Sequence, residues 1–131
     1  MPHRFTTRVY YEDTDLAGIV YYANYLKFIE RARTEYVREL GLNQAARKAE
    51  QGIVFAVRRI EADYLEPARF DDQIRVETAV EAVTGARIVL RQDVLRGEDL
   101  LFHAVVTLVV LTEDQRPGRI PAELRQLMTP A

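Results

Sequence analysis

The chain contains no cysteine. Disulfides, thiolate nucleophiles and cysteine-based zinc or iron–sulfur sites are therefore excluded. It contains no serine either, so a Ser-His-Asp triad cannot be built, and its cysteine version fails as well. His3 and His103 are the only histidines, and no carboxylates are spaced with them as metal ligands would be. His103 stands in an apolar strand and is expected to be a satisfied core or interface residue. There is no large excess of one charge: a formal net charge of −2 leaves no global basic field to hold a polyanion such as DNA. Nor is there a long hydrophobic run. The longest, Ala104 to Leu111, contains Thr107 and falls well short of the ~20 residues that span a bilayer. The first residues, Met1-Pro2-His3-Arg4-Phe5, lead straight into a patterned segment with no apolar stretch of signal-peptide type, and a cytoplasmic location is expected. Lysine is scarce, at Lys27 and Lys48 alone. Arginine thus carries nearly all the positive charge, which suits phosphate forks but follows equally from a GC-rich genome.

What remains is an ordinary globular composition, 48% hydrophobic and 29% charged over 131 residues. That length predicts one domain, residues 1–131, with a core large enough to need no staples. Arg4 to Tyr11 is short, aromatic and β-branched, as a strand is. Asp13-Thr14-Asp15 and Gly18 then bring turn chemistry. From Tyr22 to Leu40 the period becomes helical, with Leu26, Ile29, Ala32, Arg33, Tyr36, Val37 and Leu40 on one stripe. Arg31 and Glu35 form an i,i+4 pair, and Gly41 stands where a left-handed residue would end the helix. Asn43 can cap a short second helix through Glu50.

Strand patterns follow. Ile53, Phe55 and Val57 alternate, then Ile60, Ala62 and Tyr64 alternate on the other parity, which predicts a bulge or bend at Arg58-Arg59. Glu66-Pro67 ends that run. Ile74, Val76, Thr78 and Val80 mark a half-buried strand. Thr84-Gly85 turns into Arg87–Leu95, and Gly97-Glu98-Asp99 turns into Leu100–Leu111, whose few polar interruptions predict cover on both faces. Arg116-Pro117-Gly118 is a predicted turn and Ala122–Met128 a short terminal helix. One long helix covering the apolar face of an antiparallel sheet is an α+β arrangement.

The unusual stretch runs from Tyr10 to Tyr25. Glu12, Asp13 and Asp15 stand between a strand and a helix, followed by Gly18 and the tyrosines Tyr21, Tyr22 and Tyr25. A helix start offers unpaired N–H groups and partial positive charge, which can hold an oxyanion forming at a carbonyl. A carboxylate fixed just before those donors could activate water or attack that carbonyl, the minimal equipment of acyl transfer. Spacing alone equally fits a capping Asp and tyrosines packed at a core edge.

Tyr11-Glu12-Asp13-Thr14-Asp15, Gly18-Ile19-Val20-Tyr21, Ala23-Asn24-Tyr25-Leu26, Phe28 and Glu30-Arg31-Ala32-Arg33-Thr34-Glu35 resemble the signature of hot-dog-fold acyl-CoA thioesterases. Within them the chain is most similar to the Tol–Pal-associated (YbgC-type) branch and to 4-hydroxybenzoyl-CoA thioesterase. The resemblance implies a curved antiparallel sheet around the Tyr22–Leu40 helix, with active sites at a dimer interface and dimers that often stack into tetramers. It implies a catalytic carboxylate at Asp15, the backbone N–H of Tyr22 as the group polarising the thioester carbonyl, and Gly18 permitting close approach. Tyr11 matches a tyrosine beside the site. Tyr25, with Phe28 and Phe55, would set pocket depth. No cofactor is implied, since water and a carboxylate suffice.

Two departures stand out. Tyr22 occupies a position where many members of the Tol–Pal branch carry histidine, so no imidazole relay can act there. The hydroxybenzoyl-type relative presents a basic triplet to the nucleotide phosphates, and Thr84-Gly85-Ala86 stand in its place. Arg58, Arg59, Arg87 and Arg91 are the substitutes at hand, each equally readable as a solvated strand arginine. A hot-dog dehydratase needs a histidine near the central helix, and none lies between Arg4 and Phe102. Two alternatives stay open: a hydroxyaryl-CoA thioesterase, and a non-catalytic acyl-binding or interaction protein of the envelope system that gives the branch its name.

Overall fold

The first strand, β1 (His3–Arg8), alternates half-buried and exposed side chains and pairs antiparallel with β3 (Gln73–Val83). The computed structural model describes residues 2–41 and 52–130. The other elements are helix α1 (Asn24–Glu39), β2 (Val54–Tyr64), β4 (Ile88–Arg96), β5 (Asp99–Leu111), the two-residue β6 (Pro117–Gly118) and helix α2 (Ala122–Leu127). The helix expected over Asn43–Glu50 lies outside the described residues.

The strands form one antiparallel sheet in the order β1-β3-β4-β5-β2, with β6 also paired to β5. Period-2 alternation puts Ile74, Val76, Thr78 and Val80 of β3 on its inner face. Ile88, Leu90, Gln92 and Val94 of β4, and Phe102, Ala104, Val106, Leu108 and Val110 of β5, complete that face, and all are buried. Tyr25, Phe28, Ile29, Ala32 and Val37 of α1 pack in the same cluster, so the sheet and its one long helix make the expected α+β arrangement. The pairing of β2 with β5 slips between Val57 and Arg59. Arg58 is the extra residue there, the bulge that the change of parity predicts.

Several expectations are corrected. The first strand stops at Arg8 rather than Tyr11. Asp13 captures the Tyr10 N–H through its carboxylate at 2.8 Å and donates its own N–H to the Tyr10 carbonyl, a local pairing that competes with a ladder. Tyr11–Asp13 is accordingly a short 3₁₀ turn. On α1, Leu26 is 39% exposed, because the rings of Tyr25 and Phe28 take the inner face. Glu35 pairs with Arg38 rather than Arg31. The turn predicted at Arg116-Pro117-Gly118 falls earlier, where Thr112 N–H bonds the Arg116 carbonyl and Gln115 takes a φ of 59°. Pro117 and Gly118 instead pair with Leu111 and Val110, a sheet-edge position that needs no proline N–H. The outer face of β5, at His103, Val105, Thr107 and Val109, is half-buried rather than fully covered. Neighbours on the flanking strands supply that partial shielding, as when His103 Nδ1 meets Asp93 Oδ1 at 2.6 Å.

Among the described residues two polar side chains, Thr78 and Gln92, sit in the core. Gln92 donates to the Ile29 carbonyl and the Thr78 hydroxyl, both at 2.9 Å, and accepts from Arg33 at 3.0 Å. Arg33, on the apolar stripe of α1, is thereby tied to the middle of the sheet. Burial lowers its guanidinium pKa, with Glu30 opposing that shift.

Candidate active site

The segment between β1 and α1 folds into a tight hairpin-like loop. Thr14 and Val20 form an antiparallel bridge, Asp15 N–H bonds the Ile19 carbonyl, and Gly18 N–H bonds the Asp15 carbonyl, both at 2.9 Å. Gly18 holds φ at +80°, a left-handed position that costs other residues about 1–2 kcal/mol. The loop is anchored from outside by Ile19 bridging Arg69 and by the Val20 N–H on the Ala68 carbonyl.

Three acids entered as candidates, and the fold separates their roles. Asp13 is spent on structure: its carboxylate holds Tyr10, while its carbonyl accepts the Tyr21 N–H at 2.9 Å and the Asn24 side chain at 2.8 Å. Glu12 lies exposed in the 3₁₀ turn. Asp15 is exposed, with Oδ1 accepting the Ala17 N–H at 2.9 Å, and its other oxygen has no partner among the described residues. A hydrogen bond to Tyr22 is the main cause pushing the Tyr21 phenol above its usual value; the Asp15 carboxylate is a smaller one. That carboxylate is thus within electrostatic reach of Tyr21, at the turn that leads into α1.

The helix begins two residues later than its pattern predicts, at Asn24. Tyr22 and Ala23 form the turn before it, closed by Asn24 N–H on the Tyr21 carbonyl at 2.8 Å. The N–H groups of Tyr22 and Ala23 find no acceptor among the described residues, as expected of a helix start without a side-chain cap. The Tyr22 carbonyl accepts the Tyr64 hydroxyl at 2.9 Å. Beside it lies a cavity of about 310 Å³ lined by Ile19, Val20, Tyr22, Tyr25, Tyr64 and Pro67, among others.

The walls of this cavity are aromatic and interlocked. Tyr64 meets Tyr22, Tyr25 and Phe102 edge to face, and Tyr25 stacks on Phe102 at 4.9 Å. Tyr25 is 3% exposed, and its hydroxyl accepts the Ala68 N–H at 3.0 Å. Burial raises its phenol pKa, against the lowering effect of that N–H. Tyr64 is raised too, first by burial and then by the neighbouring Tyr22 and Tyr25.

The candidate residues thus divide. Asp15, Gly18, Tyr22 and Tyr25 come together around the loop, the helix start and the cavity. Tyr11 is 82% exposed and packs its ring edge against Phe70 at 6.1 Å, next to the segment that anchors the loop. The four arginines lie elsewhere in the chain. Arg58 and Arg59 are exposed at the bulge of β2, with Arg59 paired to Glu61. Arg87 lies at the β3–β4 turn and Arg91 near the middle of β4, paired to Asp93. The eleven-residue length of β3 separates that turn from the loop's anchor. Sequence reasoning passed over Tyr64 as a strand residue. The one available signal was an aromatic followed closely by Glu66-Pro67, where a strand must end and its last side chain can leave the ladder.

No group of three or more His, Asp or Glu residues is arranged to hold a metal among the described residues. No described helix is long and apolar enough to cross a membrane.

Comparison with known proteins bears on this geometry. The model of the thioesterase superfamily matches residues 17–103. The chain is 42% identical to the acyl-CoA thioesterase YbgC of Haemophilus influenzae over 122 residues, 92% of this chain and 90% of that one. A solved structure described as a probable thioesterase from Bartonella henselae superposes with a TM-score of 0.89 at 36% identity, covering 92% of this chain and 100% of the other. A 4-hydroxybenzoyl-CoA thioesterase variant with 4-hydroxybenzoyl-CoA bound superposes with a TM-score of 0.89 at 26% identity, covering 96% and 97%.

Proposed function

The chain belongs to the thioesterase superfamily, and on that premise we propose an acyl-CoA thioesterase whose chemistry lies where α1 begins. It hydrolyses the thioester of acyl-CoA to free acid and coenzyme A. Residues 1–131 act as one thioesterase domain with the hot-dog arrangement, the sheet wrapped around α1. The thioester carbonyl oxygen takes the Tyr22 N–H, where helix partial charge and a donor with no acceptor among the described residues stabilise the developing oxyanion. Asp15, with one oxygen unpaired among the described residues, serves as general base for water or as nucleophile. As base, it takes a proton while the water oxygen bonds the carbonyl carbon; the C–S bond then breaks and the departing sulfur takes the proton. Gly18 lets the chain pass close to the reacting group, Tyr11 flanks the loop, and Tyr25 closes the acyl cavity.

The observation that carries this reading is that Tyr22, whose N–H has no acceptor among the described residues, lines an aromatic cavity and follows closely on the loop that carries Asp15. The test is steady-state hydrolysis of short, long and aromatic acyl-CoAs by wild type and Asp15→Asn, following free thiol. The amide keeps the acceptor for the Ala17 N–H, so folding is retained while the rate falls on the order of 10²–10⁴-fold. Acyl-CoA binding without turnover in the wild type would overturn the enzyme and leave an acyl-binding protein of the envelope system.

A hydroxyaryl-CoA substrate is the second reading, supported by the three tyrosines lining the cavity. The protein works in the cytoplasm as a homodimer that assembles into a tetramer. Support comes from β2, an edge strand with Val54 and Val57 exposed, since bare edges invite pairing. A groove lined by Leu26, Lys27, Glu30, Arg33, Val57 and Ile60 runs between it and α1. In such a dimer Arg58, Arg59, Arg87 or Arg91 of a neighbouring copy would hold the coenzyme phosphates.

A further inference from the structure

We propose that Tyr64 is a positioning residue for thioester hydrolysis: its hydroxyl fixes the Tyr22–Ala23 peptide so that the Ala23 N–H joins the Tyr22 N–H as a second donor to the carbonyl oxygen. The inference rests on the reading that the carbonyl binds at the start of α1.

The geometry leads there in three steps. First, the two donors belong to different peptide groups. The Tyr22 N–H shares a plane with the Tyr21 carbonyl, which the Asn24 N–H holds at 2.8 Å. The Ala23 N–H shares a plane with the Tyr22 carbonyl. Second, that carbonyl is not held by the helix ladder: Leu26 N–H, the donor that would reach it in a regular α-turn, bonds the Ala23 carbonyl at 3.1 Å. The Tyr64 hydroxyl takes its place at 2.9 Å. Because the peptide is planar and trans, pinning the oxygen sets the direction of the N–H on the other side. A hydrogen bond to the oxygen also polarises the group and strengthens its N–H as a donor. Third, Tyr64, though half exposed, is itself held by edge contacts with Tyr22, Tyr25 and Phe102 at ring centroid distances of 5.0–6.3 Å, and it lines the cavity into which the acyl group would pass. A residue 42 positions downstream thus completes the donor pair.

Tyr64→Phe keeps the ring packing and removes only the hydroxyl. We expect kcat to fall about 10- to 100-fold, less than the 10²–10³ of deleting an oxyanion donor outright, with KM and melting temperature little changed. Vibrational spectroscopy separates positioning from packing. The probe is the acyl-CoA that wild type hydrolyses fastest among acetyl-, butyryl-, palmitoyl- and 4-hydroxybenzoyl-CoA, bound to Asp15→Asn. Its thioester C=O band should be lowered from its position in water, and adding Tyr64→Phe should move it part of the way back. A lowered band that Tyr64→Phe leaves in place, or an unchanged kcat, overturns the role of Tyr64 alone. A band not lowered even with Tyr64 intact overturns the helix-start reading, and this inference with it.

Discussion

The side-chain amide of Asn24 donates to the main-chain carbonyl of Asp13 at 2.8 Å, and the same oxygen accepts the Tyr21 N–H. One carbonyl therefore clasps the acidic loop to the first residue of α1. Removing the Asn24 amide should cost about 1 kcal/mol of stability. Its effect on rate should be larger, because Asp15 and the helix-start donors would no longer be held in register. Asn24→Ala is expected to lower kcat by up to about 10²-fold, the size of an ångström-scale misplacement. Hydrolysis kinetics beside urea unfolding would check both figures.

Gly18 offers a comparison within the chain. A Cβ there meets nothing within 4 Å, and the same holds at Gly97 in the β4–β5 turn; both take positive φ. Gly18→Ala and Gly97→Ala should each lose about 1–2 kcal/mol to left-handed strain. Only the first should also lose activity, since only it reshapes the loop carrying Asp15. Equal kcat in the two variants would contradict a role for the Gly18 conformation in the reaction.

Gln92 is the buried partner of Arg33. Gln92→Leu should destabilise the protein by about 2–3 kcal/mol, because a desolvated guanidinium and the Thr78 hydroxyl lose their partner together. Adding Arg33→Met should recover part of that loss, since removing both halves of a buried polar pair is milder than stranding one. Denaturant midpoints of the single and double variants provide the readout.

The tyrosines predict the alkaline limit of stability. Burial raises the phenols of Tyr25, Tyr36 and Tyr64 above the ordinary value of 10.0. The folded state then keeps protons that the unfolded state releases, so their contribution is fully present below about pH 10 and is lost as pH rises through the higher folded values. Stability should be flat in this respect through neutral pH and fall beyond about pH 10. Ultraviolet titration beside an unfolding curve should show the buried Tyr25 ring, 3% exposed, ionising together with the loss of structure.

Much of the architecture was legible because it rests on local periodicity. The parity change at Arg58-Arg59 announced the bulge, and Gly41, at φ +81°, ended the helix as expected. The errors share one cause, competition between local and non-local partners. The Leu26 stripe gave way to the larger Tyr25 and Phe28 rings, and Asp13 drew Tyr10 and Tyr11 out of the strand. Pro117-Gly118 became a ladder rung because Val110 and Leu111 offered an edge.

The candidate site divides in the same way. Asp15, Gly18 and Tyr22 lie within eight residues, so their grouping follows from the chain order and was open to reading. The helix start, the left-handed glycine and the acid before them are properties of short-range stereochemistry. The Tyr64 hydroxyl, the Ala68 N–H on Tyr25 and the Gln92–Arg33 bond join residues 42 to 59 positions apart. Such pairings depend on strand order and on which ring fills which gap in the core, and no spacing along the chain encodes them. The sequence alone determined which chemistry could be present; the seating of α1 on the sheet, through Gln92 of β4 and the Tyr64 and Phe102 rings of β2 and β5, decided which groups hold it in place.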